Sequence, residues 1–405
     1  MTEAHICEVI AGGVIEGSYA PAFEGVYQAF WQNFEESGEQ GAAICVSVGG
    51  ETVVDLWGGV ADQKTAKPWQ SDTVAVVFSC TKAATALAAH LLADQGTLDL
   101  DAPVASIWPE FAAAGKEGVT TRMLLDHTAG LPALRAPLKP DCLLDWDYMA
   151  SHLAAETPFW EPGTRSGYHA ITFGYLVGEV VRRASGQSLG AFFQEEIAKP
   201  LGIDFWIGLP KSEDPRVAPI TPYRFNKDDE EPPFICAART KGSIANLFIF
   251  NHGDWMARGV NTREGHAAEI GAAGGITNGR GLCGMFEALL KSDGPLGLST
   301  KTLAGFSETS SATHMDATLQ MPMRFGPGFM HAMDNRRRPG GGDSVILGPR
   351  AFGHVGAGGS FGFADPDAGL AFGYVMNRQG PGLLLNERGQ RLVDAAYGAL
   401  GISHS

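Results

Sequence analysis

The 405-residue sequence contains no uninterrupted run of about 18 apolar residues, the length a membrane-spanning helix needs, so no membrane partner is expected. It is short of positive charge. Thirty Lys and Arg against 45 Asp and Glu give a formal net charge of -15, which disfavours nucleic acid and anionic surfaces as partners. The six cysteines, Cys7, Cys45, Cys80, Cys142, Cys236 and Cys283, include no CxxC pair and no dense block, a usage that fits reduced thiols in a cytoplasm. Met1 to Ser18 carries Glu3 and Glu8 but no Lys or Arg and no apolar stretch ending in small residues, so no secretory leader is read there and a cytoplasmic location is expected. The 11 histidines show neither HExxH nor other close ligand spacing, which argues against a metal enzyme; no cofactor is expected. What the chain does have is 44% apolar content, enough for a large core over about two to three domain units.

Residues 21–36, PAFEGVYQAFWQNFEE, place Phe23, Val26, Tyr27, Phe30, Trp31 and Phe34 at helical spacing, and Gly38 ends the run. The segments AAICVSV and ETVVDLW flank Gly49-Gly50, a two-residue hairpin signal, so the fold is expected to open helix, strand, strand. From about Ser79 to Arg183 the pattern is mainly helical, with Pro and Gly at the joints. Residues 211–233 are rich in Pro and charge and read as a surface excursion, either solvated or flanking a site, while the connection holding Arg336, Arg337 and Arg338 reads as a solvated loop. The last third returns to strands, RFGPGFMHAM, HVGAGGSFGFADP and LAFGYVMN, before a closing helix from about Leu384 to Leu400. Strands at both ends with helices between them predict an α/β chain of the α+β type: a central antiparallel sheet from residues 1–78 and 285–405, flanked by helices, and a mainly helical insertion over 79–284.

Ser79-Cys80-Thr81-Lys82 opens an Ala- and Leu-rich stretch, AATALAAHLLADQG, that reads as a helix ending at Gly96. Three residues apart, Ser79 and Lys82 share one helical face within contact distance. A serine hydroxyl becomes a strong nucleophile when a neighbour takes its proton, and a lysine can do so once burial lowers its pKa. The helix N-terminus would favour an anion developing beside Ser79. The competing reading is a plain helix cap with an exposed Lys82.

Four further segments follow in order: LLDHTAGLP at 124–132, WEPGTRSGYHAITFGYLVGEVVRRASGQSL at 160–189, AAGGITNGRGL at 272–282 and FGHVGAGGSFGFADP at 352–366. Together with SCTK they resemble the class C β-lactamase-like serine hydrolases, and most closely their esterase branch, the family VIII carboxylesterases. That resemblance implies a β-lactamase/transpeptidase-like fold with the site at the junction of sheet and helices. It implies Tyr168 as the tyrosine of the second motif, sharing proton transfer with Lys82; which of the two takes the first proton stays open. It implies His354 and Gly356 in the third motif beside the substrate, with His169 also at the binding site. By the same analogy the backbone N–H groups of Ser79 and Ala357 form the oxyanion hole. His127 is read as architectural, hydrogen-bonding a turn.

Two departures from the β-lactamase pattern direct the substrate reading. The second motif is Tyr168-His169-Ala170, without an Asn for a substrate amide, and the third motif lacks a Lys for a substrate carboxylate. The expected function is therefore a serine carboxylesterase acting on small or medium esters through a Ser79 acyl-enzyme. β-Lactamase, D-amino-acid peptidase, acyltransferase and a non-enzymatic binding protein are the alternatives. Gly358-Gly359-Ser360-Phe361-Gly362 also matches the G-x-S-x-G elbow, but Ser360 is followed by a strand, a turn and another strand, and the only later histidine is His404.

Overall fold

The computed structural model describes residues 3–10, 12–224, 233–253, 255–337 and 343–403; Arg338, His404 and residues 225–232 of the charged excursion lie outside that set. An antiparallel hairpin, β1 (Ala4–Ile10) and β2 (Gly13–Tyr19), comes first, so the fold opens strand, strand, helix and not with the helix. Helix α1 follows over Glu24–Glu36, behind a short 3-10 turn at Pro21–Phe23. The Gly-Gly hairpin is present as β3 (Gly41–Val48) and β4 (Glu51–Asp62), with both glycines at positive φ, 61° and 88°, the conformation a two-residue turn of this hand needs. A short β5 (Lys67–Pro68) pairs with β4.

Three very short strands, β6 (Ala75–Val76), β7 (Phe205–Ile207) and β8 (Gly275–Thr277), make a separate sheet in the order β6-β8-β7. The C-terminal third supplies β9 (Ser311–Thr313), β10 (Met323–Phe325), β11 (Met330–His331), β12 (Phe352–Val355), β13 (Phe361–Asp365) and β14 (Leu370–Met376). These join the N-terminal strands in an 11-stranded antiparallel sheet, ordered β1-β2-β4-β3-β14-β13-β12-β11-β10-β9 with β5 at the side of β4. The central seam is β3 on β14, with Ile44 opposite Tyr374 and Val46 opposite Phe372.

Alternation along these strands sorts side chains between two cores. Ile44, Val46, Phe372 and Tyr374 enter the core shared with Phe30 and Phe34 of α1 and with Leu392 and Val393 of the last helix, α6 (Glu387–Ala399). Ala43, Cys45, Ala371 and Val375 face the other core with Leu282 and Phe286 of α5 (Gly279–Glu287). Each fully buried large apolar side chain contributes about 2 kcal/mol. Because both faces are covered, β14 is buried along its whole length and reads as a nearly continuous apolar run. The contact with α5 is so close that a Cβ on Gly373 would lie 2.4 Å from the Gly279 carbonyl oxygen.

The remaining helices that bear on the site are α2 (Thr81–Asp94), α3 (Thr172–Ser185) and α4 (Ile244–Phe250). In α2 every residue from Thr81 to Leu92 is buried, which marks a helix surrounded by protein on all sides. Among the described residues, no helix is long and apolar enough to cross a membrane.

Candidate active site

Strand β6 delivers the chain to the head of α2 through Phe78, which adopts φ 46°. That left-handed conformation costs a bulky residue roughly 1–2 kcal/mol, and it turns the half-buried Ser79 toward a cavity. The turn is fastened from both sides. The Cys80 thiol donates to the His354 carbonyl at 3.2 Å, and Val77 N–H donates to the Gly275 carbonyl at 2.9 Å. β12 approaches so closely that a Cβ on Gly356 would sit 2.2 Å from the Val77 carbonyl oxygen, which only glycine permits.

Lys82 is fully buried, and its Nζ lies 3.1 Å from Ser79 Oγ. Its other two contacts are backbone carbonyls, Ala170 at 2.7 Å and Ala272 at 2.9 Å. No carboxylate pairs with it among the described residues; burial drives its pKa well below the ordinary lysine value. A neutral amine has two N–H bonds and one lone pair. The two carbonyls take the N–H bonds, which leaves the lone pair for the Ser79 hydroxyl proton.

Tyr168 sits two residues before one of those carbonyls, so one segment supplies both the phenol and an acceptor for the amine. Its ring centroid is 4.7 Å from Lys82 Nζ, and it lines the same cavity as Ser79. Burial raises the Tyr168 pKa, which keeps the phenol protonated. Asp316, also fully buried, positions this segment: its carboxylate accepts from Tyr168 N–H at 3.0 Å and from the N–H groups of Thr318 and Leu319 at 2.9 Å. Asp316→Ala leaves these buried donors unpaired and is expected to cost about 3 kcal/mol, read as a lowered urea midpoint, while lowering kcat more than it raises KM. A wild-type midpoint would remove Asp316 from this role.

His127 braces the same segment. Its Nδ1 accepts from His169 N–H at 3.1 Å and its carbonyl accepts from Gly167 N–H at 3.1 Å. The other sequence candidates divide. Ser79, Tyr168 and Ala357 line the cavity, whereas His169, His354 and Gly356 do not. The His169 ring is fully buried, with Nε2 accepting from Leu131 N–H at 2.9 Å; that of His354 is buried 6.0 Å from the Tyr168 ring. Burial pushes both imidazoles down to about 3, so they are neutral packing groups behind the wall. Ser360 is buried between β12 and β13, its Oγ accepting from Met376 N–H at 3.4 Å, and is closed to substrate.

The cavity walls are apolar: Phe248 of α4, Met256, Leu319, Met330, Leu383 and Leu384 contribute, and no charged side chain lines it among the described residues. Sequence reading missed these walls and Asp316. Their positions carry no motif; only the fold brings residues 248, 316 and 383 to residue 79.

A Ser-Lys-Tyr cluster at the mouth of an apolar cavity, on a sheet built from both ends of a chain, belongs to the serine hydrolases. The chain is a member of the Beta-lactamase family, whose sequence model matches residues 25–397. It is 35% identical to the esterase/beta-lactamase LipL of Mycobacterium tuberculosis over 378 residues, covering 91% of this chain and 84% of that one. A solved family VIII carboxylesterase is 39% identical and superimposes with a TM-score of 0.83 over 95% of this chain and 99% of the other. The class C beta lactamase of Rhodobacter sphaeroides, at 21% identity and a TM-score of 0.61 over 93% of this chain and 99% of its own, shares the fold.

Proposed function

We propose that the chain is a carboxylesterase that hydrolyses neutral esters of small or medium acyl chains through an acyl-enzyme on Ser79. The observation that carries this reading is the Nζ of a fully buried Lys82, 3.1 Å from Ser79 Oγ and paired with no carboxylate among the described residues. Ser79 Oγ bonds to the ester carbonyl carbon as its proton passes to Lys82 Nζ. The oxyanion is held by the N–H groups of Ser79 and Ala357. The tetrahedral intermediate collapses, the C–O bond to the alcohol breaks, and the Tyr168 hydroxyl protonates the departing alkoxide and is reprotonated from Lys82. Water then attacks the acyl-enzyme by the reverse proton route, releasing the carboxylic acid and free Ser79.

An apolar cavity with no cationic side chain among its described lining residues suits a neutral acyl group and gives a β-lactam carboxylate no charged partner there. The test is a panel of p-nitrophenyl esters run beside a chromogenic cephalosporin. Esters are expected to turn over with the larger kcat/KM by at least about 100-fold, a gap of about 2.7 kcal/mol; faster cephalosporin turnover would reverse the assignment.

Phe248 sets the acyl length in this reading. With Ile171, it lines both the cavity and a neighbouring pocket that Ala133, Leu134, Met149 and Leu247 help to form. Phe248→Ala is expected to open the cavity toward that pocket. At about 0.8 kcal/mol per buried methylene, roughly fourfold each, the ratio of kcat/KM for octanoate over butanoate esters is expected to rise at least tenfold. An unchanged ratio would show that Phe248 does not bound the acyl site.

A further inference from the structure

The structure assigns Asn386 and Arg388 as positioning residues that fix the loop carrying the Ala357 N–H, an inference that rests on that N–H being an oxyanion donor. The loop between β12 and β13 is glycine-rich, and Gly358 and Gly359 adopt φ of 91° and 127°. Such a segment is soft by itself. Here its carbonyls are tied down one by one. Gly356 O accepts from Gly359 N–H at 3.0 Å, and Ala357 O accepts from Gln379 Nε2 at 3.3 Å. Gly358 O takes three donors: Gly380 N–H at 2.8 Å, Asn386 Nδ2 at 2.9 Å and Arg388 Nη2 at 3.5 Å. The Ala357 N–H has no acceptor among the described residues, and Ala357 faces the cavity beside Ser79.

The two side chains that grip Gly358 are themselves immobilised. Asn386 caps α6, its Oδ1 accepting from Gly389 N–H at 3.2 Å. Arg388 is 5% exposed, donates to the Arg378 carbonyl at 2.7 Å and pairs at 2.7 Å with the fully buried Glu39 carboxylate, which the Tyr374 hydroxyl also reaches. The chain of contacts runs from the core of the main sheet to the Gly358–Gly359 peptide, whose N–H in turn holds the Gly356 carbonyl, the other end of the peptide plane that carries the Ala357 N–H. A donor held in place before the reaction stabilises developing charge without reorganisation, and removal of a whole oxyanion donor costs about 10² to 10³ in kcat. Loosening one costs less.

The test uses two full-length variants. Asn386→Ser keeps a good helix cap and deletes the Nδ2 donor. Arg388→Lys keeps the charge against Glu39 and deletes the fork. Each is assayed for p-nitrophenyl butanoate hydrolysis, inhibition by phenylboronic acid, which forms a tetrahedral anionic adduct on the nucleophilic serine, and urea midpoint. The expected result is a fall in kcat of about tenfold, KM within about twofold, and a boronate inhibition constant raised by the same factor as kcat falls. A merely structural role would move the urea midpoint and leave kcat and the boronate constant alone; that result in whichever variant folds overturns the assignment. Retained activity in Ser79→Ala would instead overturn the underlying reading of the site, whatever these variants do.

Discussion

Ser79→Ala should lose at least about 10⁴-fold in kcat on a p-nitrophenyl ester, because the covalent step belongs to one oxygen and, among the described residues, no other serine lines the cavity. The nearest rival by sequence pattern, Ser360, is buried between two strands and hydrogen-bonded to the backbone of a third. Ser360→Ala is therefore expected to stay within about threefold of wild type, a change under about 1 kcal/mol. The pair of variants is read in one assay, and parity between them would mean that the nucleophile has been misplaced.

Lys82→Met should come close to the same loss, about 10³-fold or more, and the double variant with Ser79→Ala should be no worse than the single serine variant, since the two groups act as a unit. The pH profile separates this base from any histidine. Lys82 must be neutral to accept a proton, so kcat/KM rises with pH through a pKa that burial has set well below the ordinary lysine value. His169 and His354, pushed down to about 3, are neutral across the working range and add no ascending limb. The limb is expected to keep its midpoint in His354→Gln. Its disappearance in that variant would hand the base role to the imidazole. The same depression acts on stability: the unfolded chain holds Lys82 protonated up to its ordinary pKa, so this group's contribution is lost as pH falls from there through the folded pKa.

Much of this site was legible because its chemistry is local. Ser79 and Lys82 declare themselves by a spacing of three across the 3-10 turn (Phe78–Cys80) that runs into α2, and the two glycines at 49 and 50 mark their hairpin by conformation alone. The two strands that follow Ser360, β13 and β14, are marked by the turn residues at 365–369 between them. Other parts were not legible. The β1–β2 hairpin is half exposed, so its sequence lacks the strict alternation that a covered sheet imposes. Strands of two and three residues at 75, 205 and 275 are too short to carry any period. His169 and His354 illustrate a further limit: a motif fixes a residue's place along the backbone, and here the side chains point into packing behind the cavity. Asp316 and Arg388 act across 148 and 349 residues of sequence, on Tyr168 and Glu39, distances at which only the folded sheet brings them into contact.

The most direct measurement is mass mapping of the protein after reaction with a fluorophosphonate, compared between wild type and Lys82→Met. Ser79 as nucleophile with Lys82 as its base predicts a single adduct on the peptide containing Ser79, formed far more slowly when the amine is replaced by a thioether. An adduct on the peptide containing Ser360, or labelling of Ser79 at an unchanged rate without Lys82, would contradict it.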